Sequence, residues 1–141
     1  MTVALLTGCG GRARRTQRAK GTAVLMHAKS QKNVPYRYGG HSPKKGFDCS
    51  GLAWWSHGKE RIKIPRTTVT QFLGGKKISR KSLLPGDLVF FHTVKKSVSH
   101  VGVYAGAGKF VHAPKTGRGV RSSSMSNSYW KKRYMGARRY W

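Results

Sequence analysis

Two short runs of alternating residues, 98–105 and 109–113, are separated by Gly106-Ala107-Gly108. In the first, Val101, Val103 and Ala105 alternate with His100, Gly102 and Tyr104; in the second, Val111 alternates with Phe110 and His112. Successive side chains of a strand point to opposite faces, and a short glycine-containing link closes an antiparallel pair. The chain must therefore build an antiparallel sheet. The same spacing puts His100 and His112 near each other on the face opposite the valines.

The remainder of the chain changes period. Residues 16–29 are helix-friendly, with Ala19, Ala23, Val24, Met26 and Ala28 on an apolar side, and residues 34–40 are extended and then turn. A loop over 41–47 leads to Asp48-Cys49-Ser50-Gly51, and a helix begins at or just after Cys49 and stops at Gly58. A short helix ends at Leu73, closed by Gly74 and Gly75, and Leu84-Pro85-Gly86-Asp87 turns into a strand through Phe91. Beyond the hairpin come a strand at 120–124, an aromatic-rich helix at 127–135 and a terminal strand at 137–141. Helices followed by an antiparallel meander define an α+β fold. A length of 141 residues is one domain's worth, and four Trp, six Tyr and five Phe need a core, which argues against disorder. No apolar run is long enough to span a bilayer.

Twenty-nine Lys and Arg face three Asp and Glu, for a net charge of +26. Such a chain is drawn to polyanions: nucleic acid, anionic lipid or an anionic cell wall. The charge is scattered rather than gathered in one tract, so it proposes a class of partner without deciding it. At the N-terminus, Leu6-Thr7-Gly8-Cys9 after a short apolar stretch resembles a lipobox, which makes Cys9 the lipidation candidate. The basic, glycine-containing stretch at 10–18 reads as a tether. The expected organisation is a signal remnant and tether over 1–18 and a catalytic domain over 19–141.

Cys49 is the first candidate for chemistry. At a helix N-terminus the free amides and the positive dipole end stabilise a thiolate, and an adjacent Gly51 permits close backbone approach. A lone cysteine is more often structural; His100 and His112 change that reading. Together they supply a base that takes the thiol proton and a polar group that orients the base. The same three residues are a poor metal site, since no close-spaced ligand pair is present and neither Asp48 nor His41 makes a good fourth ligand. Neither a metal nor a cofactor is expected.

Five ordered segments, Tyr36-Arg37-Tyr38-Gly39-Gly40, Gly46-Phe47-Asp48-Cys49-Ser50-Gly51-Leu52, the Leu84 to Phe91 turn and strand, Ser99-His100-Val101-Gly102-Val103-Tyr104 and Phe110-Val111-His112-Ala113, resemble the NlpC-type cell-wall cysteine peptidase family. The segment 123–139 is similar to its bacterial lipoprotein members. The resemblance implies a papain-like α+β fold and a thiol peptidase acting on peptidoglycan stem peptides. By the same resemblance Cys49 is the nucleophile, His100 the general base and His112 its orienting partner. Tyr36 serves the oxyanion or substrate site, and Asp48 and Ser50 flank the nucleophile and contact substrate.

The leading expectation is a peptidoglycan endopeptidase of the bacterial envelope, on the periplasmic side of a membrane if Cys9 is lipidated and otherwise secreted. It would cut either the D-glutamyl–diamino acid bond or the D-alanyl–diamino acid cross-link. Anionic envelope polymers are expected partners for the basic surface; nucleic acid is not. Two other classes use the same features: a non-catalytic basic module binding wall or nucleic acid, and a thiol amidase or acyltransferase. The first would have no reason to retain a Cys-His-His set.

Overall fold

The computed structural model describes residues 8–94 and 96–141, with the side chains of residues 8 and 9 outside that description. The lipobox-like residues Leu6 and Thr7 and the Cys9 side chain therefore lie outside the described part. The elements run α1 (Gly8–Ser30), β1 (His41–Ser42), β2 (Gly46–Phe47), α2 (Cys49–Gly58), α3 (Thr68–Leu73), β3 (Lys76–Ile78), β4 (Leu88–Phe91), β5 (His100–Gly106), β6 (Lys109–His112), β7 (Arg121–Ser124), α4 (Ser128–Arg133) and β8 (Tyr134–Arg139). A single 3-10 turn, Arg80–Ser82, precedes β4. The strands β3-β8-β4-β5-β6-β7 form one antiparallel sheet in that order, and β1 and β2 pair separately. The α+β expectation holds.

Alternation along the strands sorts the core onto two faces. Leu88, Phe90, Val101, Val103 and Val111 join Val24, Leu25 and Ala28 of α1 and Leu52 and Ala53 of α2 in the helix-facing core. Their neighbours Val89, Phe91, Phe110 and Ala137 meet Met125 and Trp130 on the other face. At roughly 25 cal/mol per Å² of apolar area buried, these two layers supply the main drive to fold. Asp87 is fully buried and clamps the entry of β4 to β8, accepting from Arg139 Nε and Nη2 at 2.7 and 2.8 Å.

One segment differs from its sequence reading. The stretch at 10–18, expected as a tether, is the exposed first half of α1. Arg, Ala and Gln are good helix formers with no proline among them, and Thr16 Oγ1 donates back to the Arg12 carbonyl at 3.0 Å, so helix continues through the glycines. The short strands β1, β2 and β3 also escaped the sequence reading, because two or three residues carry no usable period.

Candidate active site

The site begins where α2 begins. Asp48 caps the helix from extended backbone, its Oδ1 accepting from the Gly51 amide at 2.6 Å. A Cβ at Gly51 would collide with the carbonyl oxygen of Gly40, so glycine is what lets the helix start lie against the 38–40 turn. Cys49 follows directly in the first turn. Its Sγ lies 3.5 Å from Thr68 Oγ1 of α3 and also receives the backbone amides of Val101 and Ser50. The Val101 contact seats the sulfur beside the start of β5, next to His100. Among the described residues no hydrogen-bond partner is found for the Cys49 amide, one of the first-turn donors that a helix leaves without an intrahelical acceptor.

His100 and His112 stand at the two ends of a hydrogen bond. His100 Nε2 lies 2.7 Å from His112 Nδ1, and His112 Nε2 lies 2.8 Å from Ser123 Oγ on β7. Two tautomer sets satisfy this chain, and the one that suits a base has His100 donating from Nε2 and His112 accepting at Nδ1 and donating from Nε2 to Ser123. That assignment leaves His100 Nδ1 free to take a proton. Because the two rings spend facing nitrogens on each other, they are not arranged to share a metal, and no group of three His, Cys, Asp or Glu side chains converges among the described residues. Trp130 of α4 stacks on His100 with centroids 5.1 Å apart and meets His112 edge-on at 5.2 Å.

This packing sets the protonation states. Burial lowers the His100 pKa to about 4. It also pushes His112 well below the ordinary histidine value, helped by the nearby charges of His100 and Arg121. For Cys49 burial raises the thiol pKa against the lowering pull of Thr68 and of the Val101 and Ser50 amides. The sequence expectation of a stabilised thiolate is thus reversed in the resting site, because removing the sulfur from water outweighs the helix end. The site rests as neutral thiol and neutral imidazoles. Iodoacetamide labelling of Cys49 should therefore rise with pH along a curve centred above the ~8.5 of a free cysteine. A midpoint well below that value would show a resting thiolate–imidazolium pair instead.

The other expected residues gather nearby. Tyr36 forms a backbone bridge with Phe47, and its phenol pKa is raised by burial and then by the charges of Cys49 and Asp48. Asp48 and Ser50 are largely engaged by the protein: Arg66 Nη1 donates to Ser50 Oγ at 2.8 Å and to Asp48 Oδ1 at 3.2 Å, while Nη2 reaches Asp48 Oδ2 and the Gly40 carbonyl. Arg66, Thr68, Ser123 and Trp130 are the site residues that the sequence reading missed. His41 is exposed and packs edge-on against Trp54. His57 is fully buried.

Residues 33–139 match the profile of the NlpC/P60 family. The chain belongs to that family. Murein DD-endopeptidase MepH of Escherichia coli K12 is 44% identical over 126 residues, covering 85% of this chain and 46% of that protein. Gamma-DL-glutamyl hydrolase of Bacillus subtilis 168 is 40% identical over 119 residues, covering 83% and 29%. The chain thus spans about half or less of the length of these curated relatives. Among solved structures, the NlpC/p60 domain of the peptidoglycan hydrolase SagA superposes with a TM-score of 0.73 at 31% identity, over 84% of this chain and 97% of that one. The architecture is the papain-like α+β fold of NlpC/P60 domains. All of α1 precedes the family match.

Proposed function

We propose that this domain hydrolyses a peptide bond in peptidoglycan stem peptides, with Cys49 as nucleophile, His100 as general base and acid, and His112 as the residue that orients His100. The observation that carries the reading is the relay His100–His112–Ser123 at the start of β5, whose next residue, Val101, turns its amide to the sulfur of the cysteine at the head of α2. The relatives named as murein endopeptidase and γ-glutamyl hydrolase support the substrate class.

In this mechanism Sγ attacks the scissile carbonyl as its proton moves to His100 Nδ1. Transfer coupled to attack suits two groups that are both neutral at rest. The oxyanion meets the Cys49 amide and the Tyr36 hydroxyl. His100 then protonates the departing amine, and water, activated by the same nitrogen, hydrolyses the thioester. Asp48 and Arg66 act on Cys49 indirectly, by fixing the helix start and the 38–40 turn. The domain works facing the wall, and lipid attachment at Cys9 is part of the same reading, supported by the Leu6-Thr7-Gly8-Cys9 pattern.

The test is digestion of purified muropeptides by wild type and Cys49→Ala, with products identified by mass. Wild type should release fragments from hydrolysis within stems or cross-links, and the variant none. An unchanged muropeptide profile with folded wild-type protein would reject the reading; products carrying a transferred acyl group would replace it with acyltransfer.

A further inference from the structure

Three concavities meet around Arg121, the first residue of the edge strand β7. One, of about 290 Å³, is bordered by His112, Ser123 and Trp130 together with Lys115 and Arg118. A second, of about 490 Å³, shares Arg118 and Arg121 with it and extends to Lys32. The third, of about 400 Å³, shares Lys32, Arg121 and Ser122 with the second and is floored by Ala105, Ala107, Val111 and Val120 between Lys29 and Lys109. Each shares lining residues with the next around Arg121, on the outermost strand of the sheet. They start at the catalytic relay and end at the β5–β6 turn.

Six cations line this path, all exposed: Lys29, Lys32, Lys109, Lys115, Arg118 and Arg121. None has an acidic partner. The chain's three acidic side chains are committed elsewhere, Asp48 to Arg66, Glu60 to His27 and Asp87 to Arg139. An uncompensated row of like charge in a concave path costs self-repulsion, and an anion laid along it relieves that cost.

We propose that this path is an extended substrate groove holding the continuing peptidoglycan strand through its stem-peptide carboxylates while one stem occupies the Cys49 site. The inference rests on the function proposed above and deepens it. The path abuts the His112–Ser123 end of the relay, and its row of cations without acidic partners complements the carboxylates of the stem peptides, so the occupant that fits is the substrate polymer itself. Nucleic acid fits less well: single strands need stacking platforms along the path, and beyond Tyr129 and Trp130 the floor is small and aliphatic. Length makes the groove selective. Gly106 lies about 20 Å up β5 from His100 at ~3.3 Å per residue, whereas an extended four-residue stem spans about 14 Å. Lys109, paired with Gly106 at the β5–β6 turn, lies beyond the reach of a short peptide held at the His100 end; a polymeric wall spans the distance.

The experiment measures co-sedimentation with sacculi freed of phosphate polymers by hydrofluoric acid. It uses the Cys49→Ala protein, so that the wall stays intact and the result does not depend on catalysis. Lys29→Gln, Lys32→Gln and Lys109→Gln together should weaken binding about tenfold, at roughly twofold for each exposed ion pair. The corresponding Arg triple should restore it, and raising salt from 0.1 to 1 M, which shortens the Debye length from about 10 to 3 Å, should weaken wild type more than the Gln triple. In the Cys49-bearing protein the Gln triple should cleave a short stem peptide at the wild-type rate, which also reports an intact fold. Unaltered sacculus binding would overturn the groove. So would an effect that appears only on phosphate-bearing sacculi, or tighter retention by duplex DNA than by stripped sacculi. Failure of wild type to cleave muropeptides would instead strike the function reading, with the binding result still standing by itself.

Discussion

His100→Gln should abolish muropeptide hydrolysis as completely as Cys49→Ala, with kcat/KM falling by about 10⁴-fold, the upper end for loss of a general base. Glutamine keeps the shape and a hydrogen bond toward His112, but its amide cannot take the Cys49 proton. The double variant should be no worse than either single one, because the two residues perform one step. His112 and Ser123 should behave differently, since they act through His100. His112→Asn, which can still accept from His100 Nε2, should retain more activity than His112→Ala. Ser123→Ala removes one hydrogen bond worth about 1 kcal/mol, so it should cost only about fivefold, with Ser123→Thr close to wild type. The measurement is steady-state cleavage of one defined stem peptide at pH 7. Equal loss in His112→Asn and His112→Ala would reject the orienting role, and appreciable turnover by His100→Gln would move the base elsewhere.

How far this site could be read from the sequence depends on how each residue is held. Cys49, His100 and His112 were legible because strand alternation and a helix start are local patterns: once a hairpin joins 98–105 to 109–113, the two histidines must share a face. The register bears this out, with Val103 opposite Val111 and His112 opposite Arg121. Ser123 was out of reach because the pairing of β7 with β6 depends on a loop whose length sets the register. Arg66 was hidden for another reason. In a chain with 29 basic residues no single arginine stands out, and only the approach of α3 to the 38–40 turn shows that this one ties Asp48, Ser50 and Gly40 together. The reversed thiol pKa has a similar origin: helix position is written in the sequence, while burial of the sulfur comes from how α2, α3 and β5 close around it. Trp130 was seen as part of an aromatic-rich helix, but nothing local says that it lies flat on His100.

Acidification should destabilise the fold itself, between pH 6.5 and 4, by an amount unusual for a chain with so few carboxylates. His57 and His100 each hold a pKa of about 4 in the folded protein because burial disfavours the charged ring. In the unfolded chain the same residues protonate near pH 6.5. Between those values the unfolded state binds more protons than the folded state, so stability present above pH 6.5 is lost progressively as pH falls and levels off below about 4. Each group accounts for about 3 kcal/mol, a large share of a typical total of roughly 5–15 kcal/mol. His57 isolates the effect from catalysis. It sits at the far end of α2 from Cys49, against Tyr140, with Nδ1 donating to the Ala53 carbonyl at 2.8 Å and Nε2 buried without a partner among the described residues. His57→Leu keeps an apolar side chain there and discards the orphaned nitrogen. The variant should match or slightly exceed wild-type stability at pH 7 and melt about 10 °C higher at pH 4, at about 3–4 °C per kcal/mol for a domain of this size. Melting curves for both proteins at pH 7, 5.5 and 4, at one ionic strength, decide it. If the two lose stability with the same slope, His57 is not a source of the acid sensitivity, and the neutral buried histidine assigned to α2 is wrong.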